Sequence, residues 1–319
     1  MIPLTPSAMH ARRQPVMVLF VFLTELAWAL LVATPVHAWA RRAWASHPDG
    51  DAVLWKGGGR ELLIWLGQED AGSAVTARTV MVLLLAGILV MQLPLGALLA
   101  SLAFSRAETG IPGEGTTLRS SLRPAAALRI GVAAFMPLAG VLALGSIASI
   151  IVIAIGALAS SAVDHGLAES MGDARSFVMR LVTFGLFVII ACMIGVIVDL
   201  ARAAIVREVG LRNAAGTSSP GWSIMVRGLR VALRVARGNL LKATLAWAGR
   251  VVVGGALIAI GYVAAQVLGG LGGAALLLLF FVHQSVVLGR VALRASWLAR
   301  AMAMIARVQD ARLAPTPTE

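Results

Sequence analysis

Two charged residues, Glu25 and Arg250, stand well inside long apolar runs of the sequence. A charge at that depth is costly in hydrocarbon, so it is a candidate for pairing, proton transfer or ligand binding. Each lies about ten residues from the start of its run, or ~15 Å of helix, so the two can meet near a membrane midplane as an ion pair. Gln92 in the second run and His283 with Gln284 in the sixth reach a similar level. A midplane cluster of Glu25, Gln92, Arg250, His283 and Gln284 suits a small-molecule or lipid transporter, or a proton-coupled site. The same side chains also suit an interhelical clamp, because polar groups commonly join helices in hydrocarbon. No broken helix pair or clear inverted repeat accompanies the cluster, and that favours the clamp.

A second constellation, Asp199 with Arg202 at i+3, falls where the fourth apolar run ends. The two share a helix face and can pair with each other or with Arg290 across a bundle. A third lies in residues 222–240, where Arg227, Arg230, Arg234 and Arg237 occupy an arc of about 80° on a helical wheel. Met225, Leu229, Leu233 and Ala236 surround that stripe, and Trp222 follows the Pro220-Gly221 breaker. Such a helix is expected to lie along the membrane surface with its guanidinium groups on lipid phosphates, each contributing ~1 kcal/mol at an anionic leaflet. The alternative is packing beneath the bundle, which would leave four aligned arginines short of acidic partners.

Other candidates are weaker. His47, Asp49 and Asp51 could ligate a metal, but the HPDG they belong to is also ordinary turn chemistry. Gly57-Gly58-Gly59 ahead of a short helix could form an anion nest or a flexible turn. Asp164 and His165 could join Asp49 or Asp51 in acting on lipid headgroups at the outer surface. There is no P-loop, no H-E-x-x-H, no G-x-S-x-G and no paired-cysteine spacing, so the expectation is a protein that is not an enzyme and needs neither metal nor cofactor.

The elements that must position these residues are membrane helices. The 319 residues are 59% hydrophobic and only 13% charged, a balance no water-soluble domain of this size carries. Six runs exceed the ~18 residues that separate a span from a buried core helix, at about 16–38, 80–104, 130–158, 177–199, 240–263 and 272–290. The expected fold is therefore all-α: one integral domain over about 1–312, a bundle of six transmembrane helices with amphipathic interfacial helices, then a disordered tail, 313–319. The first run could be read as a signal peptide with Val36-His37-Ala38 as its cleavage site, but its length favours an uncleaved span. Pro137 is the expected kink in the third span. Half of the eight tryptophans (Trp39, Trp44, Trp55 and Trp65) gather in the first loop, as in a segment at headgroup level.

Of the 27 lysines and arginines, 19 fall on the side of the termini and 7 on the other, with Arg250 inside a span. The positive-inside rule then places both termini in the cytoplasm. The net charge of +12 comes from arginines flanking apolar helices, which points to anionic lipid rather than nucleic acid. Cys192, the single cysteine, allows no internal disulfide. HPDGD with the following GGG, VDLARAAIVRE at the end of the fourth span, and the arginine-rich lead into the fifth together resemble a group of six-span bacterial inner-membrane proteins. That group is similar to the membrane domain attached to some glycerophosphodiester phosphodiesterases. The resemblance implies the bacterial inner membrane and no established activity. The combined expectation is a scaffold or accessory subunit that contacts anionic lipid, a partner complex or a second copy of itself, with a transporter as the alternative.

Overall fold

The computed structural model describes residues 14–44, 71–104, 123–217, 220–268 and 271–310, which are helical but for short turns and contain no strand. Among the described residues seven helices occur, in chain order α1 (Pro15–Trp44), α2 (Ala71–Val90), α3 (Gln92–Ala103), α4 (Pro124–Met171), α5 (Asp173–Ala214), α6 (Gly221–Leu268) and α7 (Ala274–Asp310). With α2 and α3 counted together, six of these stretches are long and apolar enough to cross a membrane. The chain is thus an all-α, multi-pass membrane bundle. The N-terminus before residue 14, the first loop with His47, Asp49, Asp51, Trp55, Trp65 and the glycine triplet, most of the second loop, and the tail lie outside the described residues.

Local sequence explains where the helices break. Proline has no N–H to donate, so Pro94 leaves the carbonyl four residues earlier unserved, and a turn at Met91 separates α2 from α3. Pro124 opens α4 at its first turn, where a missing N–H costs nothing. Gly172, with φ at +75°, lets the chain reverse between α4 and α5 in a conformation other residues rarely adopt. Pro137, by contrast, sits within an unbroken α4.

The helices outrun the membrane. α4 and α6 have 48 residues each and α5 has 42; at 1.5 Å per residue these are ~72 Å and ~63 Å, against a hydrocarbon core of ~30 Å. The excess lies at one end. Trp44, Ala71, Gly172 and the α6–α7 turn mark a hairpin end, and the buried core lies away from it. Leu98 and Leu102 of α3, Leu138 of α4, Leu200 and Ile205 of α5, and Leu298, Met302 and Ile305 of α7 are all essentially inaccessible and sit at the opposite, packed end. There α3 crosses α4 closely enough that a Cβ on Gly131 would stand 2.8 Å from the Ala97 nitrogen. The hairpin halves instead expose Val82 and Leu85 of α2, Ile150 and Leu158 of α4, Leu181 and Val182 of α5, Val252 and Val263 of α6, and Leu277 and Phe281 of α7, the apolar skin of a lipid-facing surface.

This architecture corrects one expectation. The arginine-bearing residues 222–240 do not form a separate interfacial helix: α5 continues to Ala214, and the arginine stripe is the first part of the same helix that becomes the fifth span. Leu200, Ala201, Ala203, Ala204, Ile205 and Val206 keep α5 apolar enough to bury, and Ile224, Gly228, Ala232 and Val235 of α6 are buried in turn. No proline falls between Gly221 and Leu268 to end the helix.

Candidate functional site

A cavity of about 660 Å³ opens between α1, α4, α5, α6 and α7. Glu25 enters it from α1, Ser146 and Ser149 from α4, Asp199 and Arg202 from α5, Trp247 and Arg250 from α6, and Arg290, Arg294 and Trp297 from α7. Helical spacing brings the α7 groups together, since steps of four and three residues from Arg290 to Arg294 to Trp297 return to one face. Four guanidinium groups against two carboxylates leave the lining with two surplus positive charges.

Asp199 is fully engaged. Arg202 Nη1 donates to its Oδ1 at 2.7 Å, and Trp297 Nε1 donates to its Oδ2 at 2.9 Å. The Arg202 and Asp199 side chains are 7% and 13% exposed, so this is a buried pair, in which each charge depends on the other for its solvation. The i+3 pairing read from sequence is present, but in the middle of α5 rather than at a helix end, with more than ten residues of helix still to come. Arg290 lines the same cavity but forms no ion pair with Asp199, whose second oxygen belongs to Trp297.

Arg250 is held differently. Its Nε donates to Ser296 Oγ at 2.7 Å and its Nη1 to the Ala246 carbonyl at 2.6 Å. Glu25 shares the cavity, yet no ion pair joins the two; Arg294 and Arg290 line the same cavity. Neither Arg290 nor Arg294 forms a hydrogen bond or ion pair among the described residues. They follow Leu288, whose exposed side chain is the last large apolar one on α7 before the arginines begin.

The depth of the site also differs from the sequence expectation. Arg290 and Arg294 are ~24 Å and ~30 Å along α7 from its first residue, and Arg250 is ~27 Å from the last residue of α6. Measured along these helices, the three arginines stand one ~30 Å hydrocarbon thickness from the hairpin end, against an expected half of it. α6 begins some twenty residues before its apolar run, so the start of that run does not mark the helix end.

The remaining members of the expected cluster are elsewhere. Gln92 is buried on a neighbouring cleft, its Nε2 donating to the Ile88 carbonyl at 2.8 Å. His283 packs beside Gly261, and neither it nor Gln284 lines the cavity. The arginine stripe divides: Arg227 turns inward to Glu208 at 3.2 Å and donates to Ser223 Oγ at 3.0 Å, whereas Arg230, Arg234, Arg237 and Trp222 are exposed. Among the described residues, no group of three or more His, Cys, Asp or Glu side chains converges in a way that could hold a metal.

Three groups that matter here escaped the sequence reading: Arg294, Ser296 and Trp297. The recurrence of Arg290, Arg294 and Trp297 on one helical face was visible in principle. The partners of Trp297 on α5 and of Ser296 on α6, 98 and 46 residues away, were not. Compared with protein families, curated proteins and solved structures, the chain matches none of them.

Proposed function

We propose that this multi-pass membrane protein is a non-enzymatic accessory protein that holds an anionic lipid headgroup in the cavity between α1, α4, α5, α6 and α7. One observation carries the reading: among the described residues Arg290 and Arg294 form no hydrogen bond or ion pair, and they stand in a cavity with surplus positive charge at the level where the exposed apolar surface of α7 ends. A phosphate is the natural counterpart of two guanidinium groups so placed. The exposed Arg230, Arg234 and Arg237 add a basic face suited to an anionic leaflet or an acidic partner. Charge asymmetry and the sequence resemblance support a bacterial inner membrane with both termini cytoplasmic.

The test is lipid retention by the purified protein in mild detergent, read by native mass spectrometry against phosphatidylglycerol and phosphatidylcholine. Wild type should retain the anionic lipid in preference. Replacing both arginines (Arg290→Gln with Arg294→Gln) should weaken it by roughly 30-fold, from ~1 kcal/mol for each charge. Equal retention of both lipids by wild type would overturn the reading.

A transporter is the second reading, favoured by the fact that the cavity reaches both Glu25 and Arg250. In proteoliposomes it requires faster movement of a labelled anionic lipid between leaflets than in protein-free vesicles, with the acceleration lost in Glu25→Gln. Rates equal to those of empty vesicles would remove it.

A further inference from the structure

Resting on the lipid-binding reading, we infer that the cleft between α1 and α2 receives an acyl chain of the bound lipid, so that the ligand is a whole anionic phospholipid rather than a free anion. The cleft has a volume of about 860 Å³ and is walled by Ala29, Val32, Ala33 and Val36 of α1 and by Leu84 and Ile88 of α2. It is continuous with the basic cavity: Glu25, Leu142, Arg202 and Arg294 line both. From that shared wall the cleft follows α1 from Glu25 to Ala40, about 22 Å of helix, long enough for an acyl chain to reach past the middle of a ~30 Å hydrocarbon core. It runs toward the hairpin end, so a lipid with its phosphate among the arginines would direct its tail inward, as lipids of that leaflet already do.

Hydrophobicity alone does not place a chain there, since a tail leaving bulk lipid for an apolar groove gains little. Tethering does. A headgroup held beside Arg294 leaves its chains adjacent to the apolar exit that shares that residue. A side chain of α1 also bridges the two walls of the groove. The Trp28 indole N–H donates to the Leu83 carbonyl at 2.9 Å. The ring lies over Gly87, where any side chain would overlap it. This contact ties α1 to α2 across the cleft.

The experiment uses phosphatidylglycerol carrying a photoactivatable diazirine midway along one chain, with the wild-type protein in nanodiscs and adducts mapped by peptide mass spectrometry. Adducts should concentrate on residues 28–40 and 84–92, at least about fivefold above the exposed faces of α4 to α7. Excess unlabelled phosphatidylglycerol should suppress them, and phosphatidylcholine or inorganic phosphate should not. Ala33→Trp, which fills the cleft, should remove most of these adducts while the preference for anionic over zwitterionic lipid in the retention assay persists. Adducts spread evenly over all lipid-facing helices, with that preference intact, would overturn the inference and leave the headgroup site standing. Competition by inorganic phosphate equal to that by lipid would do the same. Loss of the anionic preference in wild type would remove both readings together.

Discussion

Replacing Asp199 with asparagine isolates the interaction that holds one wall of the cavity. The change preserves shape and keeps an oxygen for Trp297, but it removes the charge that compensates Arg202 at 2.7 Å. Removing one partner of a buried ion pair costs about 3–5 kcal/mol, because the other charge stays buried without compensation. With side chains 7% and 13% exposed, this pair belongs to that class. Its border on a cavity that water can enter argues for the low end, ~3 kcal/mol. At ~2 °C per kcal/mol, the low end that suits a long chain, the melting temperature should fall by about 6 °C. Fluorescence-detected size-exclusion chromatography after graded heating in detergent reads this directly. Combining Asp199→Asn with Arg202→Met removes the stranded charge, and should recover to within about 1 kcal/mol of wild type. Trp297→Phe removes only one hydrogen bond to a charged acceptor, and should cost about 1.5–3 kcal/mol. A loss below about 1 kcal/mol for Asp199→Asn, or a double variant weaker than either single one, would refute the reasoning that burial makes the pair interdependent.

Three further outcomes follow from the division between packed end and hairpin end. Leu298→Ala, at a side chain with no exposed surface, should destabilise by about 2–5 kcal/mol, whereas Leu277→Ala, 58% exposed, should change thermal stability by less than ~0.5 kcal/mol. Gly131→Ala forces a Cβ against the α3 backbone and should cost about 1–3 kcal/mol, while Gly249→Ala, with open space at its Cβ, should be neutral or slightly stabilising in the same heating assay. Replacing Arg230, Arg234 and Arg237 with glutamine should leave stability within ~0.5 kcal/mol of wild type. It should also weaken attachment of the detergent-purified protein to anionic nanodiscs, with the difference shrinking as salt rises.

Much of this fold was legible because the signal is local. A run of more than ~18 apolar residues has few destinations besides a membrane, and each of the six runs became a membrane-length helix. The Asp199–Arg202 pairing was legible for the same reason, since i+3 neighbours meet on any helix. Helix ends at the packed end were not. The fourth apolar run ends at about residue 199, yet the alanines and β-branched residues beyond it bury against α3, α6 and α7 so well that α5 continues to Ala214. α6 likewise starts at Gly221, well before the apolar run that contains Arg250. The pairing of Glu25 with Arg250 failed for a related reason: equal counts along two sequences say nothing about which neighbour lies closer in space, and Ser296 and the Ala246 carbonyl serve the guanidinium of Arg250 instead.

The concentration of the core at one end has a mechanical consequence. Interlocked side chains there resist shear, while the hairpin halves bury few side chains and turn most of their apolar ones outward. When a bilayer thins or thickens around the protein, hydrophobic mismatch must be absorbed by tilting of some part of each helix. The compliant part is the hairpin end, so the six helices would splay or gather there like ribs fixed at one rim. The gap between α1 and α2, held by the single Trp28 hydrogen bond between their described residues, would widen first. Bilayer thickness would thus act on the shape of that gap without disturbing the arginines at its mouth.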